Sequence, residues 1–327
     1  MADTINVVGQ IKVTQGMEPL RSNIAAILNP KSGGGAAARI WHRVREYLPA
    51  DVQVYRTSAP GHAIQLTLSA LKAGAQTIVA VGGDGTIHET INGFFADERP
   101  ISPQAVLGII PAGTGSDLRR SLRLPLDVGE AALMIANGLA RPVDLMRVRY
   151  TSHNGLPSTR FAINVTSFGM GGVVAARSHW LSKWLGGKAP FLIATMLTAA
   201  WHAGSRVRLV FDRMDPIEAR VTHVVIGNGQ YQGAGMWVCP DAKLDDGQLD
   251  VTVIRYLNGF EIVRDIRMLY DGKILEHPKV SSYRVRHIRA ASPDTTFVEI
   301  DGEPLGRLPL EIEVIPSAIR VVTGVGT

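Results

Sequence analysis

Short apolar runs alternate with stretches of helical periodicity over the first 145 residues, and this alternation constrains the fold more than any other feature. The apolar runs lie at residues 23–28, 51–56, 77–83 and 105–111. The helical segments lie at residues 36–48, 62–74, 86–95, 115–122 and 128–138. Strands of a parallel sheet read as continuous apolar runs because helices cover both faces. We therefore predict an α/β domain built on a parallel sheet.

Glycine-rich turns follow three of these predicted strands, with the sequences NPKSGGG (29–35), GGDGT (82–86) and PAGTGSD (111–117). Ligands of parallel α/β sheets bind beyond the carboxyl ends of the strands. Glycine lets successive N–H groups point at one anion, and a following helix adds partial positive charge. Three such turns at one sheet edge predict a polyphosphate site. Taken alone, GGDGT is also compatible with an ordinary turn in which Asp84 caps the next helix.

Asp84 needs a partner if phosphates bind beside it. A carboxylate repels phosphate unless Mg²⁺ lies between them or the carboxylate accepts a hydrogen bond from a hydroxyl. The P-loop pattern GxxxxGK[ST] is absent from the sequence, and no strand–GxGxxG–helix unit stands in its usual place. We expect Asp84 to contact a metal ion, a ribose or the acceptor.

The rest of the chain is rich in short, alternating segments that predict a β-sandwich or barrel-like domain. We predict an extension at residues 1–21, an α/β domain at 22–145 and a β domain at 146–327. A helical insertion at about 173–203 contains tryptophans and lysines: Trp180, Lys183, Trp184, Lys188 and Trp201. Such a segment either lies at a bilayer interface, lines an acyl-chain groove or packs over the β domain.

The composition and net charge of the chain limit the classes of function that it can have. The 327 residues carry a net charge of +5, and the arginines occur in clusters that suit acidic lipid, phosphate or nucleic acid. One cysteine, Cys239, excludes an internal disulfide and predicts a buried thiol in a reducing compartment. The N-terminus lacks the pattern of a secretory signal, and no run of 18 apolar residues occurs.

Five ordered motifs give the sequence a family resemblance. NPKSGGG, VAVGGDGTIHETING, GIIPAGTGSDLRRSL, PDAKLDDGQLDV and IDGEP together resemble the diacylglycerol kinase catalytic family, which includes sphingosine and ceramide kinases. The likeness runs from about residue 22 to residue 322. It implies a phosphofructokinase- or NAD-kinase-like α/β domain and a C-terminal β-sandwich domain, with ATP and a lipid meeting between them.

The resemblance also implies the nucleotide site. Its residues would come from all three turns and from one further loop: Asn29, Lys31, Ser32, Gly33, Thr57, Gly82, Gly83, Asp84, Gly85, Thr86, Gly113 and Thr114. Lys31 suits a phosphate by its charge. The family usually has Asn where this chain has Ser116, and Ser replaces only part of the hydrogen bonding of an amide.

The resemblance places the IDGEP motif at the active site. Glu303 is predicted as the base that accepts the proton of the acceptor hydroxyl, with Asp301 and Asp84 assisting through metal or orientation. Without the resemblance, the same residues read as a hairpin turn. In LDDG, the family holds a structural Mg²⁺ that would bind Asp246 and the backbone oxygens of Lys243 and Gln248; the other interpretation is a tight turn.

The sequence thus predicts an ATP- and Mg²⁺-dependent kinase acting on diacylglycerol or a sphingoid or ceramide-like lipid. It would be cytoplasmic and peripheral at the inner face of the membrane, with no nucleic acid partner. A homodimer is compatible with the sequence, which has no feature that fixes the oligomeric state. The alternatives are a soluble-substrate kinase of the NAD-kinase type and a nucleotide-binding regulator without turnover.

Overall fold

A computed structural model describes residues 23–113, 117–137, 140–170 and 203–323. The predicted extension at 1–21, nearly all of the predicted insertion at 173–203, the predicted site residue Thr114, and Ser116, which replaces the family's usual Asn, lie outside the described residues. Within the described part of the chain, no helix is long and apolar enough to span a bilayer.

Strands and helices alternate in the N-terminal part, as the apolar pattern predicts. The strands are β1 (Ile24–Leu28), β2 (Gln53–Arg56), β3 (Thr77–Gly82), the short hairpin β4 (Phe95–Ala96) and β5 (Arg99–Pro100), and β6 (Val106–Pro111). The helices are α1 (Ser32–Val44), α2 (His62–Lys72), α3 (Asp84–Asn92), α4 (Asp117–Ser121) and α5 (Val128–Ala136). In α1, three consecutive glycines take positive φ, so regular helix begins only after Gly35.

The N-terminal strands form a parallel sheet in the order β6-β3-β1-β2. Every residue of β1 and β3 is buried, since helices cover both faces of the sheet. The turns after β1, β3 and β6 therefore emerge together at the carboxyl edge.

The C-terminal part is mainly antiparallel. Its strands are β7 (Ala140–Ser152), β8 (Pro157–Ala162), β9 (Val165–Gly169), β10 (Ser205–Phe211), β11 (Ile217–Gly227), β12 (Tyr231–Gln232), β13 (Met236–Trp237), β14 (Leu249–Arg255), β15 (Val280–Val285), β16 (His287–Ala291), β17 (Phe297–Ile300) and β18 (Glu303–Val322). One long helix, α6 (Gly259–Tyr270), follows β14 and begins with a capping box made by Asn258 and Glu261. Alternate residues of these strands pack into a second core.

The two parts share one sheet through β18. The end of this strand pairs in parallel with β6 at Arg320 and Val321, and it also runs antiparallel to β7. The predicted boundary between residues 145 and 146 falls inside β7, and Val143 and Leu145 of that strand belong to the core of the N-terminal part. Since the sheet is continuous there, the relative position of the two parts is set by backbone hydrogen bonds.

Candidate active site

Three glycine turns touch one another at the carboxyl edge of the parallel sheet. A methyl group added at Gly113 would lie 2.6 Å from the Cα of Gly83, and one added at Gly33 would collide with the carbonyl oxygen of Ala112. The Oγ of Ser32 donates to that same carbonyl at 3.3 Å. The predicted convergence of the turns is therefore observed, and it depends on residues without a Cβ.

Helix α3 begins directly at the central turn. Gly83 is its N-cap residue, no side chain caps it, and Asp84 is the first residue of its first turn. The alternative in which Asp84 caps this helix is therefore wrong. A carboxylate in the first turn still interacts favourably with the helix dipole.

Asn29 and Thr86 tie the first turn to the second. The Nδ2 of Asn29 donates to the Oγ1 of Thr86 at 3.0 Å, and a methyl group at Gly82 would lie 2.6 Å from the Thr86 Cβ. The exposed Lys31 follows Asn29 and donates its backbone N–H to the Asn29 side chain. Thr57 is half-buried just after β2, where its N–H donates to Leu28.

The IDGE segment is a two-residue hairpin. Ile300 pairs with Glu303, and the intervening Asp301 and Gly302 have φ values of 49° and 91°, as this type of tight turn requires. The turn brings Glu303 to the N-terminal part, where a methyl group at Gly85 would lie 2.6 Å from the Glu303 Oε1. The hairpin interpretation and the active-site interpretation are thus compatible, because the turn delivers the carboxylate beside GGDGT.

Asp301 is buried and fully engaged by donors. Its carboxylate accepts backbone N–H bonds from Ile163, Asn164 and Val165 at 2.9–3.1 Å. Its Oδ2 also lies 3.2 Å from the Nδ1 of His88, which is equally buried on α3. Of the roles predicted for Asp301, these contacts favour orientation of the hairpin over a contact with metal.

Three polar residues of α3 were missed by the sequence reasoning. His88 holds Asp301, while Glu89 accepts the N–H groups of Gly61 and Ala63 at the start of α2 at 2.7 and 3.1 Å. Asn92 exchanges two hydrogen bonds of 2.9 Å with the backbone of Phe161. The available signal was the spacing of His88 and Asn92 by four residues, which places both on one helix face.

In the LDDG loop, both carboxylate oxygens of Asp246 have protein partners. One Asp246 oxygen accepts the Gln248 N–H at 3.0 Å, and the other forms an ion pair with Arg284 of β15. Arg284 also lies 3.7 Å from Asp250. Among the described residues, no group of three or more His, Cys, Asp or Glu side chains could hold a metal ion. The predicted Mg²⁺ ligands, Asp246 with the backbone oxygens of Lys243 and Gln248, are a set of another kind, and this site stays a prediction.

The buried carboxylate of Asp144 holds the backbone of the LDDG loop in place. The Asp144 oxygens accept the N–H of Gly247 at 2.6 Å and the N–H of Ser317 at 2.7 Å. Asp144 is almost fully buried on β7. The loop therefore has its own protein anchors independent of any ion.

The glycine turns bring backbone together at the carboxyl edge of the sheet without intervening side chains. The backbones of the three turns pack against one another at Gly33, Gly83 and Gly113, next to the start of α3, and a methyl group at Gly34 or Gly35 would meet nothing within 4 Å. Backbone N–H groups at a helix N-terminus bind phosphate oxygens well. Together with the Glu303 carboxylate at Gly85, these turns make one site between the two parts of the chain.

This architecture defines a class of protein: an N-terminal α/β domain and a C-terminal β-rich domain with the NAD-kinase-like fold. Yeast NADH kinase has this fold, with a TM-score of 0.52 at 12% identity over 94% of this chain and 84% of that chain. A crystal structure of a proposed diacylglycerol kinase from Bacillus anthracis str. Sterne aligns with a TM-score of 0.73 at 25% identity, covering 92% of this chain and 97% of that chain. The predicted fold class is confirmed.

The chain belongs to the diacylglycerol kinase catalytic domain family. The model of that domain matches residues 23–148, and the YegS C-terminal NAD kinase beta sandwich-like domain matches residues 164–323. A "Probable lipid kinase YegS-like" protein of Xanthomonas oryzae pv. oryzae is 31% identical over 90% of this chain and 94% of its own length. A "Diacylglycerol kinase" of Mycobacterium tuberculosis is 29% identical over 95% of this chain and 94% of its own length. The predicted family resemblance is confirmed.

Proposed function

We propose that this protein is an ATP- and Mg²⁺-dependent lipid kinase that phosphorylates a hydroxyl of diacylglycerol or of a related sphingoid or ceramide-like lipid. The observation that carries the proposal is the contact of the Glu303 carboxylate with Gly85 inside the GGDGT turn. A carboxylate positioned beside a phosphate cradle is the arrangement that phosphoryl transfer to a hydroxyl requires. The family match and the names of the relatives support a lipid as the acceptor.

The three glycine turns would hold the triphosphate. Backbone N–H groups at the start of α3 would bind phosphate oxygens, with the Lys31 ammonium as a further partner and Asn29 fixing Thr86 in the cradle. Mg²⁺ bound with ATP would neutralise phosphate charge, and Asp84 would be the carboxylate that holds it. Thr57 and Thr114 complete the predicted nucleotide contacts.

Glu303 would act as the base. It would orient the acceptor hydroxyl and accept its proton as the oxygen attacks the γ-phosphate. Asp301 would position Glu303 through the hairpin, since its oxygens already accept from three N–H groups and contact His88. General-base catalysis of this kind contributes about 10²–10⁴ to the rate.

An apolar cavity between the β sheet and α6 offers room for an acyl chain. The volume that water-sized groups can reach inside it is about 70 Å³, which suits the end of an acyl chain rather than a whole lipid. The apolar residues that line it include Met236, Ile254, Leu257, Ile262 and Leu269. A chain in this cavity would be held by burial of apolar surface, while the hydroxyl reaches Glu303.

A lipid acceptor held in a bilayer requires an enzyme that works at the membrane surface. We place the protein in the cytoplasm, peripheral to the inner face of the membrane, where ATP is supplied. The insertion at 173–203 stays the predicted membrane contact. A homodimer is compatible with this arrangement, and nucleic acid has no place in it.

The test is a transfer assay with γ-labelled ATP, Mg²⁺ and vesicles that contain diacylglycerol, ceramide or sphingosine. Label in a chloroform-soluble product is the expected result. Label that appears only in a water-soluble nucleotide when NAD is added would point to a soluble-substrate kinase. Nucleotide binding without transfer to any acceptor would point to a regulator without turnover.

A further inference from the structure

Glu299 is a carboxylic acid in the wall of the apolar cavity, and the proposed phosphoryl transfer does not use it. It lies on β17, four residues before Glu303, and only 5% of the residue is exposed. Its strand neighbours Val298 and Ile300 point into the core on the other face of the sheet. Burying a carboxyl group lowers the stability of the folded state unless the group gains hydrogen-bond partners. A carboxyl group in an apolar wall therefore needs a structural or functional explanation.

A chain of polar side chains approaches Glu299 from one side. The Ser167 Oγ donates to the Glu299 Oε2 at 3.4 Å, and the Gln232 Nε2 donates to the Ser167 Oγ at 2.8 Å. Gln232 also hydrogen-bonds to Glu299, and its Oε1 lies 3.4 Å from the Nε2 of His223. Because the Ser167 hydroxyl donates to Oε2, a proton on Glu299 belongs on Oε1.

Burial determines the protonation of this group. Burial, with a smaller contribution from the negative charges of Asp117 and Glu303, raises the pKa of Glu299 to about 7, although the hydrogen bonds from Gln232 and Ser167 act to lower it. The other ionisable groups that line the cavity are His223 of β11, Asp265 of α6 and His277 after α6. Below about pH 7, Glu299 is therefore a neutral acid that can donate a hydrogen bond.

The position of this donor suits the polar linkage of a lipid. The wall of the cavity is mainly apolar, and the Glu303 charge acts on Glu299. A lipid that spans from Glu303 into the cavity carries its polar linkage between its hydroxyl and its chain. An ester or amide carbonyl there needs a donor, whereas a cationic amine needs an ionised carboxylate.

We propose that Glu299 is a specificity-determining residue that donates a hydrogen bond to the ester or amide carbonyl of the acceptor, and so selects neutral acyl lipids over lipids with a cationic amine. The proposal rests on the proposed lipid kinase function and names the acceptor class for it. Ser167 and Gln232 are the positioning residues that hold the Glu299 carboxyl in place.

Binding without turnover tests this directly. Calorimetry measures the affinity of the wild-type chain for 1,2-dioctanoylglycerol at pH 6 and pH 8, without ATP. With a pKa of about 7, the neutral acid falls to about a tenth at pH 8, so we expect affinity to fall about tenfold. Glu299→Gln keeps a donor and should bind equally at both pH values, whereas Glu299→Leu should bind about tenfold more weakly at pH 6.

A matched control is Asp250→Asn, which removes a second buried carboxyl group of raised pKa outside the cavity. Its binding should show the wild-type pH dependence. In the same assay sphingosine should bind the wild type more weakly than dioctanoylglycerol at pH 6. Equal binding by wild type and Glu299→Leu, stronger binding of sphingosine, or no binding of either lipid would overturn the proposal.

The transfer assay separates this inference from the function on which it rests. If labelled lipid forms and the Michaelis constant for diacylglycerol is the same in Glu299→Leu, the kinase proposal stands and this one is wrong. If no labelled lipid forms, the kinase proposal fails, and the calorimetric result alone decides the role of Glu299. The far-UV circular dichroism of each variant shows whether it folds, and Glu299→Gln serves where Glu299→Leu does not fold.

Discussion

The Oε1 of Glu303 lies directly over Gly85, so close that a methyl group added at Gly85 would be 2.6 Å away. Glu303 comes from a hairpin of the β-rich part, whereas Gly85 belongs to the first turn of α3. This contact therefore makes the position of the proposed base dependent on a glycine of the GGDGT turn.

Gly85→Ala should lower lipid phosphorylation about 10- to 100-fold, because the methyl group displaces the carboxylate from its position for proton transfer. Stability should not fall, since the Glu303 carboxylate can move and alanine improves a helix by up to about 1 kcal/mol over glycine. Initial rates of lipid phosphorylation test the loss of activity, and urea unfolding tests whether stability is kept. In the double variant with Glu303→Gln, the two losses should not add, because both act on one carboxylate. Additive losses would place the Gly85 effect elsewhere.

Glu303→Gln should lower the rate of transfer by about 10²–10⁴ while the affinity for ATP stays close to wild type. The amide keeps the shape of the side chain and removes its ability to accept the proton. Single-turnover rates with labelled ATP measure the first effect, and equilibrium binding of a non-hydrolysable ATP analogue measures the second. An unchanged rate would move the role of base to Asp84, because the Asp301 oxygens are engaged by backbone donors.

Asp301→Asn should chiefly destabilise the protein. The asparagine side chain has one acceptor oxygen where aspartate has two. Backbone N–H groups of residues 163–165 that now donate to the Asp301 carboxylate would therefore lose their acceptor in a buried position. Leaving such donors unsatisfied costs about 1–3 kcal/mol each. Denaturant unfolding should show a loss of at least about 2 kcal/mol, and a variant with wild-type stability and no activity would instead make Asp301 a catalytic residue.

Features of the fold that depend on local sequence were predictable. Apolar runs located β1, β3 and β6, glycines marked the turns after them, and Asp301 and Gly302 had the composition of a two-residue hairpin. Contacts between distant residues were not. The return of β18 to β6 joins Val321 to Leu107, and no local pattern records such pairing.

The same limit applies to the site. Glu299 interrupts an apolar strand as a single polar residue, which reads as an exposed position until β9 and β12 are placed against it. The family resemblance predicts Asp246 as a metal ligand, and it gives no sign of Arg284, which contacts Asp246 from a strand 38 residues further along the chain. The sequence shows where each carboxylate lies along the chain. Its partners depend on which strands the sheet places beside it.

Removal of divalent cations should leave the unfolding temperature of the wild-type chain unchanged, because the Arg284 guanidinium already supplies positive charge to Asp246 and Asp250. In Arg284→Gln the two carboxylates lose that charge, and Mg²⁺ should then raise the unfolding temperature by binding to the folded state. Thermal unfolding of both proteins with EDTA or millimolar Mg²⁺ checks this. A wild type that loses stability in EDTA would instead support the predicted Mg²⁺ at Lys243, Asp246 and Gln248.

Glu299→Gln should stabilise the protein at neutral and alkaline pH. The pKa of Glu299 rises from 4.5 to about 7 on folding because burial disfavours the charged form. The folded state thus holds a proton that the unfolded state has lost between pH 4.5 and about 7, so stability falls as pH rises through this window. Above it, the wild type carries a cost of about 3 kcal/mol that the uncharged amide lacks.

The difference in unfolding free energy between the wild type and Glu299→Gln reports the titration of Glu299 alone. Asp250, whose pKa is also raised to about 6, titrates in both proteins. Paired urea unfolding experiments at pH 5 and pH 8 should show the advantage of Glu299→Gln widening by about 2–3 kcal/mol with pH. If the advantage is the same at both pH values, then Glu299 does not titrate in this window. The carboxyl would then be ionised at pH 6 as well, and its preference between carbonyl and amine ligands would reverse, which ties the stability measurement to the selectivity of the cavity.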